Sequence, residues 1–572
     1  MHQALKALPE RGKGFIALLA ALTLVGCASS GSDVASVPNP YVVETGGVQV
    51  ATMRTFGDSY STPGSYGLPW SDYLASLGRV QAVEPYAVGG AQAAVGLRNS
   101  FNVQVDRFLA SGSPVGPRDL TVAYFGYNDI GRGGSVDGLG IARAGYDLGV
   151  NRLLNAGVTA AGQRLFLTQI HDWSRNPGVN PAVAPEVQSW NAFVASVANR
   201  SSSMVAVDLY TALNRVYADP ARFGFVNVTD ASRSRASVDY LYSDGLHFGA
   251  RGATIIARTF NHYLTRGWDW ANSLSAGASA SQRLASDIDS GVVFMRFKDS
   301  GTNPLERRRL SLMPLGDTGD NRGLLLDYAA GTDLGLRLGI ALVSDSVERQ
   351  RLADDGVTRQ RDLASDGMAT YMALEKGIFQ STTQFNVMSH SHTGRGQDDL
   401  IERRISRDVS SRTYAMRQRL QAFMPVGGFT IAPWGSIGHQ QQAMDDASYE
   451  TLYTSRSTVT TGGYGQWLAG LGVEAYTPAF DLGRLGVLNV TGSVGMRERL
   501  GNPHVDFTFK ETALPGVSQV ERVALGDLNE RRAGLGARLD LSDTTSMEMG
   551  YARVARNDAD TEQFDINLSM AF

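Results

Sequence analysis

The sequence predicts two folds in series: an α/β domain built on a parallel sheet, then an antiparallel transmembrane β-barrel of about twelve strands. Three observations predict this. Between residues 47 and about 265, short apolar runs alternate with helical periodicity. Beyond about 270, many stretches of roughly ten residues alternate apolar and polar positions, separated by Gly, Asp, Asn and Arg. The chain of 572 residues is also far longer than one hydrophobic core usually organises.

The first segment, 1–27, reads as an export signal. Lys6, Arg11 and Lys13 precede an apolar run from Phe15 to Val25, too short for a helix that spans a bilayer. The run ends in Leu24-Val25-Gly26-Cys27, which resembles a bacterial lipobox with Cys27 as the lipidated residue. The alternative is ordinary cleavage near Ala28 or Ser29. Cys27 is the one cysteine of the chain, which excludes an internal disulfide and a cysteine-based metal site. A net charge of −4 gives no basic field that would draw the chain to nucleic acid. With 43% hydrophobic residues, the composition is not that of a disordered chain.

Residues 28–46 are rich in Ser, Gly and Pro and read as a linker. The α/β domain is expected over 47–268. Its candidate strands are Val48–Phe56, Arg79–Val83, Leu120–Phe125, Arg164–Ile170 and Met204–Leu209. Its candidate helices are Pro69–Leu77, Ala91–Ala110, Val136–Asn155, Ala184–Asn199 and Ala250–Thr265. In the fourth helix Val187, Trp190, Phe193, Val194 and Val197 recur at spacings of three and four, a core-facing stripe.

A linker and a lumen helix are expected over 269–291, and the barrel over 292–572. Named strand segments are Leu334–Val343, Thr370–Lys376, Thr413–Phe423, Phe429–His439, Gly465–Tyr476, Leu485–Met496, Ala533–Leu541 and Ser546–Val554. The last segment is the clearest. Phe564, Ile566, Leu568, Met570 and Phe572 alternate with Asp565, Asn567, Ser569 and Ala571. A soluble β-sandwich is the competing fold. Segments long enough to cross a membrane when tilted, and charges on the inward positions that a dry core would reject, weigh against it.

Four short blocks carry candidate chemistry. A parallel α/β sheet presents its reactive groups at the carboxyl ends of its strands. Thr55-Phe56-Gly57-Asp58-Ser59-Tyr60 ends the first candidate strand, with Ser59 placed where the chain enters the next helix. Tyr86-Ala87-Val88-Gly89-Gly90-Ala91 follows the second, and its glycines would let a backbone N–H approach a ligand. Gly126-Tyr127-Asn128-Asp129 follows the third; Asn128 can aim an amide N–H at a developing oxyanion, or simply serve a turn or cap. Asp244-Gly245-Leu246-His247 precedes the last helix of the domain. There Asp244 can accept from His247 Nδ1, fix the tautomer and stabilise the imidazolium. His171, after the fourth strand, is the rival base. His262 falls mid-helix, at the surface or an interface.

Taken together and in this order, Gly57-Asp58-Ser59, Gly90, Gly126-Tyr127-Asn128-Asp129 and Asp244-Gly245-Leu246-His247 resemble the blocks of the GDSL, or SGNH, hydrolase family over residues from about 50 to 265. With a C-terminal barrel, the whole chain is similar to the esterase autotransporters of Gram-negative bacteria. The resemblance implies a flavodoxin-like SGNH-hydrolase domain displayed at the cell surface and acting on an ester or lipid without metal or organic cofactor. It implies Ser59 as nucleophile, His247 as general base and Asp244 as its orienting acid. The oxyanion hole would comprise the Ser59 and Gly90 N–H groups and the Asn128 amide. It also implies the outer membrane and the barrel-assembly machinery as partners. Tyr60 stands where the family name has leucine, a tolerant position, and Pro85 where many members have Asn. A non-enzymatic autotransporter adhesin is the alternative from another class; its usual repetitive passenger has no counterpart here. Phospholipase or carbohydrate O-acetylesterase activity would use the same residues.

Overall fold

Five apolar runs, β1 (Val50–Gly57), β2 (Val80–Pro85), β3 (Leu120–Tyr124), β4 (Leu165–Gln169) and β5 (Met204–Asp208), lie side by side in a parallel sheet. The structure, a computed structural model, describes residues 41–43, 47–63, 68–133, 139–298, 308–315, 321–331, 335–352, 357–398, 403–501, 504–525, 529–556 and 559–571. The export segment with Cys27 lies outside the described residues, as does Phe572. The strand order is β2-β1-β3-β4-β5, and every pairing is parallel. Every residue of β3, β4 and β5 is buried, as strands covered on both faces must be.

Among the described residues, seven helices follow or cross between strands: α1 (Trp70–Ser76), α2 (Phe101–Ser111), α3 (Tyr127–Gly133), α4 (Leu139–Asn155), α5 (Ala184–Ala198), α6 (Leu209–Ala218) and α7 (Ala250–Lys298). On α5 the expected stripe is buried at Val187, Trp190, Val194 and Val197, and Phe193 packs at its margin. Trp190 Nε1 donates to the Phe125 carbonyl at 2.8 Å, tying α5 to the end of β3.

Three boundaries differ from expectation. The helix expected over 91–110 begins only at Phe101. The N–H groups of Ala93 and Ala94, which a helix would need, donate instead to the Asp129 carboxylate at 2.9 and 3.1 Å. The linker ends sooner than residue 46. Tyr41 is buried in the domain core; its hydroxyl donates to the Asp119 carbonyl (2.8 Å) and accepts from the Arg164 N–H (2.7 Å). The third difference is largest. The helix expected to stop at Thr265 continues unbroken to Lys298, so no linker starts at 269. Arg266 and Trp270, near the expected break, are buried against the barrel half.

The barrel strands are β6 (Arg308–Leu315), β7 (Asn321–Gly331), β8 (Leu336–Leu352), β9 (Val357–Lys376), β10 (Phe379–Asp398) and β11 (Arg403–Ala422). They continue as β12 (Phe429–Met444), β13 (Tyr464–Tyr476), β14 (Val487–Leu500), β15 (Glu530–Asp540), β16 (Thr545–Arg556) and β17 (Ala559–Ala571). Each pairs antiparallel with the next. β17 pairs back onto β6, so among the described residues twelve strands close into a ring. Closure leaves no unpaired edge. β6, β7 and β10 lie outside the segments named from sequence. Among the described residues no helix is long and apolar enough to cross a membrane, which says nothing of strands.

Burial in this ring is inverted relative to a water-soluble protein. On β8, Leu338, Ile340 and Leu342 are exposed outward, while Arg337 and Asp345 are buried. On β17, Phe564, Ile566, Leu568 and Met570 are exposed, while Asn567 and Ser569 are buried. The polar interior is filled by α7. Ser281 donates to Asn386 (2.8 Å), Arg283 pairs with Asp345 (3.0 Å), and Asp289 pairs with Arg417 (2.9 Å).

A second sheet grows from the loops of the ring: Ala447–Tyr449, Ser457–Thr461, His504–Glu511 and Gln519–Ala524, all antiparallel. It joins the α/β domain directly. Leu452, Tyr453, Leu514 and Val517 belong to the same core cluster as the parallel sheet. Gln519 Nε2 donates to the Ala206 carbonyl at 3.2 Å. His262 is buried at this junction, its ring 6.3 Å from that of Tyr449. Arg266, fully buried, donates to Glu521 (2.6 Å), Glu511 (2.9 Å) and Gln519, with its guanidinium over the Phe509 ring.

Removing one member of a buried ionic cluster strands the others without compensation, at about 3–5 kcal/mol. Arg266→Met is therefore expected to lower the unfolding midpoint of the α/β domain and to expose 504–524 to limited proteolysis, with the ring still folded by heat-modifiability on gels. Unchanged protease resistance and midpoint would refute this role for Arg266.

Candidate active site

The sheet reverses its winding direction between β1 and β3, and in open α/β sheets the crevice at that point is where ligands bind. Ser59 lies two residues beyond β1, and Asn128 lies just beyond β3. Gly90 follows β2. These three and the loop carrying Asp244 and His247 are the residues the sequence singles out.

Ser59 does not enter a helix directly, as expected; it sits in a tight turn before α1. The turn is organised by Asp58. Its Oδ1 accepts from Tyr60 N–H (3.1 Å), and its carbonyl accepts from Ser61 N–H (3.0 Å). Ser61 Oγ in turn accepts from Trp70 Nε1 (3.1 Å). Behind it, Gln104 brackets the end of β1, accepting from Gly57 N–H (3.0 Å) and donating to the Gly57 carbonyl (2.8 Å). Burial pushes the Asp58 carboxyl up to about 8.

His247 meets Ser59 across the sheet end. His247 Nε2 lies 2.8 Å from Ser59 Oγ, and Nδ1 lies 2.9 Å from Asp244 Oδ2. Asp244 is a local construction. Its Oδ1 accepts from the backbone N–H groups of Leu246 and His247, each at 2.7 Å, in the manner of an Asx turn. Partial burial pushes the Asp244 carboxyl up, but those two N–H groups and the His247 ring outweigh it and hold the carboxyl below its ordinary value.

The Gly90 and Asn128 loops are braced to each other. Besides the Asp129 carboxylate on Ala93 and Ala94, Gln92 Nε2 donates to the Asn128 carbonyl at 2.7 Å. Asn128 Nδ2 donates to the Ala91 carbonyl (3.0 Å) and faces Asp58 Oδ2 at 3.4 Å, a long contact. Gly90 is the third residue of a turn closed by Ala91 N–H on the Val88 carbonyl (3.1 Å), and its φ of +73° is one that glycine adopts without strain. No backbone hydrogen bond from the N–H of Ser59 or Gly90 is present among the described residues. Gly126 has φ +134°, and a Cβ there would stand 2.4 Å from Trp190 Nε1, so the approach to Asn128 also requires glycine.

His171, the rival base, is placed elsewhere. It is fully buried, and both ring nitrogens are occupied: Nδ1 by the Tyr127 hydroxyl (2.6 Å) and Nε2 by Asn176 Oδ1 (2.8 Å). Sequence reasoning missed Gln92, Gln104 and Asn176. Asp129 was visible beside Asn128, but its partners were not. Among the described residues no group of His, Cys, Asp and Glu is placed to hold a metal ion.

Burial pushes the His171 ring down to about 4 from its ordinary 6.5. The unfolded chain therefore takes up a proton near pH 6.5 that the folded domain refuses until about pH 4. The contribution to stability is intact above 6.5 and is lost as pH falls through this window, on the order of 3 kcal/mol. The raised Asp58 carboxyl acts in the opposite direction over the same range, so the loss is read as a difference: between pH 7 and pH 5 the wild type should lose about 2 kcal/mol more unfolding free energy than His171→Gln. An equal pH slope in the variant would refute the assignment.

No protein-family model matches the chain, and no curated protein matches it. Among solved structures, the translocator domain of the autotransporter NalP from Neisseria meningitidis is similar over 51% of this chain and 98% of that one, at 11% identity and a TM-score of 0.35. The β domain of the Bordetella autotransporter BrkA is similar over 46% of this chain and 97% of that one, at 12% identity and a TM-score of 0.33. An acetyl xylan esterase, AlAXEase, is similar over 37% of this chain and 99% of that one, at 12% identity and a TM-score of 0.28. Identities and scores this low carry nothing about function.

Proposed function

We propose that the chain is a serine ester hydrolase of the SGNH type, held at the cell surface by an outer-membrane barrel. The observation that carries the catalytic half is the run of hydrogen bonds Ser59 Oγ to His247 Nε2 (2.8 Å) and His247 Nδ1 to Asp244 Oδ2 (2.9 Å). A hydroxyl, a base and an orienting carboxylate in that sequence are what acyl transfer needs. The strand order 2-1-3-4-5 is the flavodoxin-like one and supports the same reading.

In the proposed reaction His247 Nε2 takes the Ser59 proton as Oγ attacks the ester carbonyl. The oxyanion is met by the N–H groups of Ser59 and Gly90 and by the Asn128 amide, which must turn from Ala91 or Asp58 to donate. Asp244 stabilises the imidazolium. His247 then gives the proton to the departing alcohol, leaving an acyl group on Ser59. Water, deprotonated by His247, attacks that acyl group and releases the acid.

The membrane half rests on the inverted burial. An outward row of Leu, Ile, Phe and Met around a closed ring suits hydrocarbon, and the charges turned inward suit a filled lumen. A barrel of this kind is inserted by the barrel-assembly machinery. The hydrolase domain is expected to stay attached after export, its last helix running on into the lumen of the ring.

Ser59→Ala is expected to abolish hydrolysis of p-nitrophenyl esters on intact cells and labelling by a fluorophosphonate, with surface level unchanged. Wild-type rates in that variant would overturn the proposal, and an adhesin would not label at all. Asn128→Ala is expected to lower kcat by about 10²–10³-fold, the usual effect of losing one oxyanion donor. A loss of less than threefold would remove Asn128 from the oxyanion hole.

A further inference from the structure

The His247 loop is gripped from behind by a second loop that the reaction scheme does not use. Asn176 Nδ2 donates to the Leu246 carbonyl at 2.6 Å and to the Tyr60 hydroxyl at 3.1 Å. The Tyr60 hydroxyl itself donates to the Leu246 carbonyl. Two residues on, Gly178 N–H donates to the Gly245 carbonyl at 2.8 Å. The Leu246–His247 peptide is thus held at both ends. Its carbonyl is taken by Asn176 and Tyr60, and its N–H by Asp244 Oδ1 at 2.7 Å.

The orientation of this grip is determined by its own protons. A carbonyl only accepts, so Asn176 must turn its NH₂ toward Leu246 and its Oδ1 the other way. Oδ1 only accepts, so the two groups on it, His171 Nε2 (2.8 Å) and the Tyr242 hydroxyl (3.0 Å), both donate. A buried, neutral His171 with its proton on Nε2 leaves Nδ1 bare, to accept from Tyr127 (2.6 Å), which accepts from Tyr124 (2.6 Å). Flipping the amide would set oxygen against oxygen at Leu246, which no change of the His171 tautomer could relieve. Tyr60 is locked as well, its ring stacked on that of Tyr127 with centroids 4.2 Å apart.

We propose that Asn176 and Tyr60 are positioning residues that clamp the Leu246–His247 peptide and so keep His247 aligned between Ser59 and Asp244. This rests on the hydrolase reading above. Tyr60 is then not a tolerant substitution. Its hydroxyl does what a leucine at that place has no atom to do, and Asn176, itself held by His171, is arranged to meet it.

The test uses the full-length protein in detergent, with active sites titrated by a fluorophosphonate and turnover followed on a p-nitrophenyl ester. Tyr60→Phe keeps the ring and removes the hydroxyl; Asn176→Ala removes the amide. Each is expected to lower kcat per titrated site about tenfold, since each removes one of the two hydrogen bonds on the Leu246 carbonyl, with KM changed less than about twofold. A purely structural role would reduce the number of titratable sites and leave kcat per site as in the wild type. That result in both variants overturns the clamp while leaving the hydrolase reading in place. If Asn176→Ala does not fold, Tyr60→Phe decides alone. Wild-type protein that neither labels at Ser59 nor turns over the ester overturns the hydrolase reading and the clamp with it.

Discussion

The contact that joins the two halves of the molecule is the burial of Arg266 among Glu511, Glu521 and Gln519. Three charged side chains out of water are tolerated only when each finds its partner. Arg266 comes from the last helix of the α/β domain, and its partners come from loops of the ring. The domain therefore does not hang from the ring as a bead on a string. Its core is completed by Leu452, Tyr453, Leu514 and Val517, residues far away in sequence. The polar cluster fixes registry, and the apolar residues around it supply the burial.

The geometry of the proposed triad is a second, smaller case of distant segments fixed by short local motifs. Ser59 and His247 are 188 residues apart, yet each is oriented by its immediate neighbours. Asp58 closes the turn around Ser59, and Asp244 closes the turn that carries His247. The parallel sheet brings two preformed turns together. Little remains for long-range packing to adjust except the peptide before His247.

This division explains what the sequence made legible. Strand ends and the blocks that follow them are local, so Ser59, Gly90, Asn128, Asp244 and His247 could be singled out by position. The braces behind them are tertiary. Gln104 reads as one more polar residue on a helix, and Asn176 as loop. Helix limits failed for the same reason. Apolar spacing suggested a helix from Ala91, but the Asp129 carboxylate draws off the N–H groups that the helix would have used. The stop expected at Thr265 ignored partners near residues 511 and 521. In the ring, alternation located strands wherever the lipid-facing row was strongly apolar, as in β17. It gave less over β10, where Gln384, Asn386, His390 and His392 fill the inward row and Ser389 and Ser391 interrupt the outward one.

The unbroken run of α7 has a consequence for how such a chain can vary. Its 49 residues make a rod of about 74 Å that is at once the closing helix of one fold and the filling of another. A residue inserted between Arg266 and Ser281 would advance everything downstream by about 1.5 Å and rotate it by about 100°. Arg266 and Asp289 could then no longer both face their partners. Length is thus frozen in this stretch even where side chains are small and replaceable, and drift there must proceed by substitution.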